Sequence, residues 1–312
     1  MNISIALATF NGSRFIQRQI ESILSQTLLP NELIINDDCS DDNVLDNIKS
    51  YMRDDNPFFK ISRNPVRLGF IKNFEAALRA CSGDIIFICD QDDFWHPHKI
   101  ERMTSMLGDS LLMHSDARLI DSEGVVITES YSKTKKKHPE YAPFERILDD
   151  NCITGCTTVI KRKLIELSPP FPDKMPHDQW LALLAADKGK LTYLPEILTD
   201  YRQHDFNLLG AGDNSNQTAG INLSKIKLNR NKHRIKADYL KNILQSAKSV
   251  INSNDKSFLI DMIAYHEGMS KKSWGLSSTF IHAKHFRFIN YRDPPARRMI
   301  KLLQTPLRSM FG

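Results

Sequence analysis

Apolar residues in the first hundred positions follow two alternating rhythms, short continuous runs and sets spaced at helical intervals. Residues 3–9, Ile-Ser-Ile-Ala-Leu-Ala-Thr, predict a first strand closed by the turn pair Asn11-Gly12. Behind Ser13, a natural cap, Phe15, Ile16, Ile20, Ile23 and Leu24 recur at the spacing of an amphipathic helix. Pro30 ends the connection, and residues 32–36 form a second strand running into Asp37-Asp38. Strand, helix and strand at this length make the parallel unit with a right-handed crossover. The rhythm then repeats, with a helix over 43–52, a strand over 59–63 and a helix over 70–80. The next run, Asp84-Ile85-Ile86-Phe87-Ile88-Cys89, is too short for a helix and apolar on both faces, as a strand of a covered sheet is.

Two predicted strands therefore finish in acids, Asp37-Asp38 and Asp90-Gln91-Asp92-Asp93. Ligands of an open parallel sheet bind outside the carboxyl ends of its strands, so the two groups are expected to share one crevice. Asp90 and Asp92, at alternating positions, project the same way while the backbone stays extended. Like charges this close are tolerated where a cation sits, and a divalent metal bridging carboxylates to a diphosphate is one reading. A solvated acidic loop is the other.

Beyond Pro97 a helix follows, and then the topology changes. Residues 111–115 and 125–128 predict strands joined by the turn Asp121-Ser122-Glu123-Gly124. Residues 131–143, polar and Lys-rich with two prolines, suit an exposed loop able to order on binding. A strand is expected over 154–160, a short helix over 161–167, and a helix over 181–186 capped by Asp178. One or two strands fill 191–202, and the Gly- and Asn-rich stretch 210–222 reads as a linker. Residues 225–248, 258–270 and 297–310 predict helices with Lys and Arg between the apolar positions. The expected division is 1–105, 106–210 and 211–312.

Composition narrows the classes. With 312 residues, 41% hydrophobic and 25% charged, the chain is an ordinary globular one, and its net charge of +5 is mild. Acids gather in the first half and basic residues in the last third, so a basic surface faces either solvent or an anionic membrane. Cys39, Cys81, Cys89, Cys152 and Cys156 form no even framework and no zinc pair of pairs, which suits buried thiols in a reducing compartment. Neither a secretory leader nor an apolar run of about 20 residues is present, so a cytoplasmic protein is expected. No Gly-rich dinucleotide fingerprint follows the first strand and no P-loop occurs, which disfavours NAD enzymes and P-loop kinases. No nucleic-acid partner is expected.

Several ordered motifs carry a resemblance. Thr9-Phe10-Asn11-Gly12, Asp37-Asp38-Cys39-Ser40-Asp41, Asn73-Phe74, Asp90-Gln91-Asp92-Asp93-Phe94-Trp95, His177-Asp178 and Tyr201-Arg202-Gln203-His204 are similar to those of family 2 glycosyltransferases, in particular rhamnosyltransferase-like bacterial members. The resemblance spans about residues 1–210. It implies an α/β GT-A fold: a Rossmann-like, mostly parallel sheet flanked by helices, with a smaller mixed sheet on the acceptor side and C-terminal helices. It further implies an inverting, metal-dependent transfer from a nucleoside-diphosphate sugar to a glycan or lipid-linked glycan. By the same resemblance Asp38 or Asp37 meets the nucleobase, the backbone near Thr9 and Asn11 lines the base pocket, and Asp90 faces the ribose. Asp92 holds Mg²⁺ or Mn²⁺ with His204 nearby, Asp93 is an alternative ligand, Lys72 is a candidate for a phosphate, and Asp178 is the base. The Gln-x-x-Arg-Trp motif of processive synthases is missing, which implies one sugar per encounter. The expected donor is dTDP-L-rhamnose.

Each assignment has a plainer counterpart. Asp37-Asp38 is also a capped turn, Asp178 a helix cap, His204 a satisfied histidine, and Trp180 a core residue. A haloacid-dehalogenase-type phosphatase places its Asp-x-Asp on the leading strand, with Thr or Val where this chain has Phe94. A nucleotide-sugar-binding protein without catalysis is the other alternative. Residues 297–310 form either a basic amphipathic helix on the inner membrane leaflet or a helix docked on the body or on a second copy.

Overall fold

The structure, a computed structural model, describes residues 1–52, 58–134, 143–149, 151–204 and 223–271, with 280–281 and 284–285. They fall into two compact units, Met1–Gly212 and Asp213–Gly312.

In the first unit the opening half alternates strand and helix: β1 (Ile3–Thr9), α1 (Ile16–Leu24), β2 (Glu32–Asp37), α2 (Val44–Lys49), β3 (Phe59–Arg63), α3 (Phe70–Ala80) and β4 (Ile85–Cys89). The second half runs β5 (Phe94–Trp95), α4 (Lys99–Met106), β6 (Leu112–Ile120), β7 (Val126–Thr128), α5 (Tyr131–Thr134), α6 (Phe144–Asp149), β8 (Thr158–Lys161), α7 (Arg162–Leu167), α8 (His177–Asp187) and β9 (Leu191–Arg202). Among the described residues all nine strands join one sheet in the order β3-β2-β1-β4-β8-β6-β9-β5, with β7 on β6. Its first four strands are parallel. Beyond β4 the sheet is mixed, because β8 runs against both β4 and β6 while β6 and β9 are parallel. The expected second sheet is thus a continuation of the first.

The order β3-β2-β1-β4 reverses direction between β1 and β4, and such a switch point opens a crevice at the carboxyl ends. Register brings those ends level: Thr9 pairs with Asp37 and Leu7 with Cys89, so the acids after β2 and β4 flank the end of β1. The parallel strands are apolar throughout because both faces are covered. Ile5, Leu7, Leu33, Ile35 and Phe87 lie in one core with Ile16, Ile20 and Ile23 of α1, all fully buried. Each such side chain contributes about 1.5–3 kcal/mol over leaving it in water.

Four features depart from the sequence expectation. β5 is two residues long, too short to leave a periodic signal. β6 continues past residue 115 because it pairs with β9 across bulges at Asp116. Residues 155–157 are a 3₁₀ turn, so the predicted strand begins only at Thr158. Helix α8 starts at His177 after Pro176, which puts Asp178 in the first turn and not at the cap.

The second unit contains the helical hairpin of α9 (Leu223–Ala247) and α10 (Ser253–Lys271). Its helices pack through Leu240, Ile243, Phe258, Leu259 and Met262, with Lys241 paired to Glu267 at 2.5 Å. The predicted linker 210–222 and helix 297–310 lie outside the described residues, as does most of the Lys-rich loop. No helix among the described residues is long and apolar enough to cross a membrane.

Candidate active site

Three loops at the carboxyl edge are tied together before any ligand is considered. The Gln91 amide spans the crevice from β4 to β1: its Oε1 accepts from Thr9 Oγ1 at 2.6 Å and from the Phe10 N–H at 2.9 Å, while its Nε2 donates to the Phe10 carbonyl at 3.0 Å. A Cβ on Gly12 would stand 2.1 Å from Gln91 Oε1, which is why glycine ends the Thr9–Gly12 motif. Across the other side, Asn11 donates its N–H to Ser40 Oγ at 2.9 Å and accepts the Asp41 N–H at 3.0 Å. Asn11 and Cys39 both adopt positive φ, 49° and 63°, in the two loops so joined. Backbone held in this region by its surroundings is a mark of pre-organised sites.

Asp37 and Asp38 are buried and engaged inside the protein. Asp37 accepts the Ser40 N–H at 3.0 Å and the Ser40 hydroxyl, and lies 3.3 Å from Arg63 Nε. Asp38 accepts the N–H groups of Leu68 at 2.7 Å and Gly69 at 2.8 Å, and Asn64 Nδ2 at 2.8 Å. Gly69, at φ 84°, turns its N–H toward this carboxylate. Lys72 is also occupied, donating to the Phe171 carbonyl at 2.6 Å and to Glu75 at 3.1 Å. All three side chains hold neighbouring loops in place.

The acids after β4 differ from one another. The Asp90 carboxylate has no hydrogen-bond or ion-pair partner among the described residues and is half-buried. Burial, Asp93, Asp92 and Asp178 together hold it well above the usual carboxylate range. Asp178 is the most distant in sequence of the charges that act on it. Asp92 Oδ2 meets His204 Nε2 at 2.8 Å, and the His204 ring stacks on Phe15 at 4.8 Å. Asp93 turns inward, its Oδ1 accepting the Arg202 N–H at 3.0 Å, and burial with Asp92 beside it pushes its carboxyl up to about 7. The Cys156 thiol beside it opposes the rise.

Arg202 escaped the sequence analysis as a working residue. Fully buried at the end of β9, it donates through Nε to the Asp92 carbonyl at 2.8 Å and through Nη1 to the carbonyls of Asp121 and Ser122 at 3.0 and 3.1 Å. Together with its N–H to Asp93, these bonds fasten β9 to the acidic loop and bring His204 to Asp92. The motif Tyr201-Arg202-Gln203-His204 contained the signal, with the histidine taking the attention.

Asp178 Oδ1 accepts the Gln179 N–H at 2.7 Å and Asn151 Nδ2 at 3.2 Å. Burial pushes its carboxyl up to about 6, with these donors and the Gly155 N–H opposing the rise. Neighbouring His177 is buried, stacked 3.8 Å from Phe74, and neither ring nitrogen has a partner, so burial pushes its pKa down to about 3 and keeps it neutral. A Cβ on Gly155 would lie 2.9 Å from His177 Nε2. Trp180 is a core residue with its Nε1 donating to Ser168 Oγ at 2.9 Å. Four of the five cysteines are buried thiols, and Cys156 has its sulfur among the carboxylates of Asp90 and Asp93.

The donor set suits a hard divalent cation. Two atoms at neighbouring corners of an octahedron with bond lengths near 2.1 Å lie about 3 Å apart, close to the Asp92–His204 separation. An imidazole and a carboxylate leave most corners free for phosphate and water.

A sheet with this switch point and an acidic loop at its carboxyl edge has the architecture of a GT-A glycosyltransferase. Residues 4–167 match the family described as glycosyl transferase family 2, and the chain belongs to that family. It is an enzyme that uses nucleotide sugars, and the phosphatase alternative falls with its Asp-x-Asp on the fourth strand. The chain is 27% identical over 204 residues to the UDP-Glc:alpha-D-GlcNAc-diphosphoundecaprenol beta-1,3-glucosyltransferase WfgD of Escherichia coli, covering 64% of this chain and 76% of that protein. It is 26% identical over 276 residues to the dTDP-rhamnosyl transferase RfbG of Shigella flexneri, covering 82% and 91%. In fold it is similar to S. aureus TarS residues 1–349 in complex with UDP-GlcNAc, at a TM-score of 0.57 and 14% identity over 94% of this chain and 82% of that one. The mannosyltransferase PcManGT from Pyrobaculum calidifontis, in complex with GDP-Man and Mn²⁺, aligns at a TM-score of 0.53 and 13% identity over 99% and 86%.

Proposed function

We propose that this glycosyltransferase moves one sugar per encounter, with inversion, from a nucleoside diphosphate held through Mg²⁺ or Mn²⁺ to a hydroxyl of a lipid-linked or surface-polysaccharide acceptor. One observation supports the reading: Asp92 and His204 meet at 2.8 Å at the carboxyl edge of the sheet as a pair suited to a cation, and a separate buried carboxylate, Asp178, is available as the base. In this reading the donor lies along the ends of β1, β2 and β4. Thr9, Asn11, Asp37 and Asp38 frame the base, the last two by shaping the loops, and the unpartnered Asp90 meets the ribose hydroxyls. Lys72 flanks the diphosphate by fixing the Phe171 loop, and Asp93 is held in reserve behind Asp92.

A cation bound by Asp92 and His204 supplies Lewis acidity to the departing diphosphate. The chain's own residues do the rest. Asp178, kept basic by burial, accepts the proton of the acceptor hydroxyl as that oxygen approaches the anomeric carbon. Neutral His177 packs the first turn of α8 against Phe74 and so fixes the direction of the carboxylate. With base and leaving group on opposite faces, direct displacement inverts the anomeric centre.

Residues 1–105 form the donor side, 106–210 the acceptor side with the base, and 211–312 an attachment region. Residues 297–310 meet the cytoplasmic leaflet where a lipid-linked acceptor resides. For the sugar we favour dTDP-L-rhamnose, supported by the breadth of the match to RfbG, while WfgD, named for UDP-Glc, supports a glucosyl donor. Turnover of a panel of UDP-, dTDP- and GDP-sugars with Mn²⁺ or Mg²⁺ tests the reading. Preferential release of dTDP from dTDP-L-rhamnose is expected; release from another donor alone would reassign the sugar, and no cation-dependent release from any would refute the reading.

A further inference from the structure

β2 carries an amide where a strand of a covered sheet calls for an apolar residue. Asn36 is buried, and so are Asn64, just past the end of β3, and Asn73 of α3. The three side chains form one network. Asn36 Nδ2 donates to Asn64 Oδ1 at 3.0 Å and to Asn73 Oδ1 at 2.7 Å, while its own Oδ1 accepts the Ser62 hydroxyl. Asn64 Nδ2 donates to Asn73 Oδ1 at 3.1 Å and to Asp38 Oδ1 at 2.8 Å, and Asn73 Nδ2 donates to the Thr9 carbonyl at 3.2 Å. That carbonyl also accepts the Asp38 N–H at 2.9 Å, which closes the circuit.

The direction of every bond follows from the two ends. A carboxylate and a peptide carbonyl only accept, so Asn64 and Asn73 must turn their Nδ2 groups toward Asp38 and Thr9. Both then present Oδ1 inward, and the residue between them must give two protons. Asn36 supplies both from a single Nδ2. An aliphatic side chain there would fill the space and remove the one donor to Asn64 Oδ1 among the described residues, leaving a buried acceptor unmatched.

The ends of the network are the groups placed around the base. Asp38 holds the Leu68 and Gly69 N–H groups, and Thr9 opens the Thr9–Gly12 loop. One buried amide therefore sets, through two others, the loops that follow β1 and β2 and the approach to α3. Among the described residues none of the three amides bonds to Asp92 or His204.

We propose that Asn36 is a positioning residue for nucleobase recognition, which orients Asn64 and Asn73 so that the loops framing the base are set before the donor arrives. This rests on the reading that the ends of β1 and β2 frame the base. A merely structural amide would behave differently on removal: its loss would loosen the whole crevice, whereas loss of a base-positioning one weakens nucleoside diphosphates and spares the diphosphate alone.

The test is calorimetric titration of the full chain, in the presence of Mn²⁺, with UDP, dTDP, GDP and inorganic pyrophosphate. Wild type is expected to bind one of the nucleotides at least about tenfold more tightly than pyrophosphate. Asn36→Asp keeps the shape and has at most one proton to give, so Asn64 or Asn73 loses a donor or turns its oxygen toward another acceptor. This variant is expected to bind that nucleotide on the order of tenfold more weakly, the worth of one or two hydrogen bonds, with its pyrophosphate affinity within about twofold of wild type. Asn36→Leu, with no proton to give, repeats the test and replaces the aspartate variant if that one does not fold. Unchanged nucleotide affinity in a folded variant, or an equal loss for nucleotide and pyrophosphate, overturns the inference, and so does a chain that folds with neither side chain. A wild type that binds no nucleotide, or none more tightly than pyrophosphate, refutes instead the reading that these loops frame a base.

Discussion

Asp92 and His204 meet with Oδ2 and Nε2 2.8 Å apart although 112 residues separate them in the chain. The contact is enforced from both sides: Arg202 bonds to Asp92 and Asp93 through its own backbone and guanidinium, and Phe15 of the first loop stacks on the imidazole. Two loops from distant strands thus present two donors to one point.

Replacing either donor is expected to disable the cation. Asp92→Asn and His204→Ala should each lower sugar transfer by about 10²–10³-fold, the range for losing one stabilising contact to developing charge. Thermal melting should change little, and Mn²⁺-dependent nucleotide binding by calorimetry should fall in parallel with the rate. Retention of both rate and binding in His204→Ala would leave the histidine a packing role only.

Asp178 acts as a base only when ionised, and burial pushes its carboxyl up to about 6. Transfer is therefore expected to rise with pH across an acid limb near pH 6 and level off above it. Asp178→Asn should remove the limb and cost about 10²–10⁴-fold in rate, the usual worth of a general base, while donor binding persists. A wild-type rate in this variant would assign the base elsewhere.

The same burial has a cost in stability. A carboxyl with a folded pKa raised from 3.8 to about 6 favours the fold below about pH 4, and that contribution disappears as pH rises through 6. Asp178→Asn should accordingly be more stable than wild type at pH 7.5, by up to about 3 kcal/mol, with the gain vanishing near pH 4. Urea unfolding at the two pH values measures it; an equal difference at both would show that charge burial is not the cause.

Gly12 and Gln91 make a joint prediction. Because a Cβ at residue 12 would meet Gln91 Oε1 at 2.1 Å, Gly12→Ala must expel the amide that joins β1 to β4. Donor affinity is expected to fall about tenfold in both Gly12→Ala and Gln91→Ala, each lost hydrogen bond being worth about 1 kcal/mol. The double variant should be no worse than the single ones, and additive losses would separate the two residues.

Much of this site was legible because its signals are local. The parallel half follows from apolar runs alternating with helical spacing, and β3 and α3 fall on the predicted residues. Acids directly after apolar strands pointed to the crevice, since a strand's end fixes where the next residues emerge. What was hidden depends on partners far along the chain. Asp38 looks like a ligand-facing acid until Leu68 and Gly69 donate to it, and Lys99 looks like a solvated helix residue until the turn at Cys156 and strand β9 close over it. The start of α8 was misread because Leu181 to Ala186 is the most apolar part, while His177 and Asp178 read as loop residues until buried.

The most direct test of the account is anomalous diffraction from a crystal grown with Mn²⁺ and the nucleoside diphosphate that binds best. One manganese peak coordinated by Asp92 Oδ2 and His204 Nε2, on the side of the crevice shared with Asp90, is the predicted result. A peak coordinated instead by Asp90, Asp93 and Cys156, or an ordered nucleotide with no manganese beside Asp92, would contradict it.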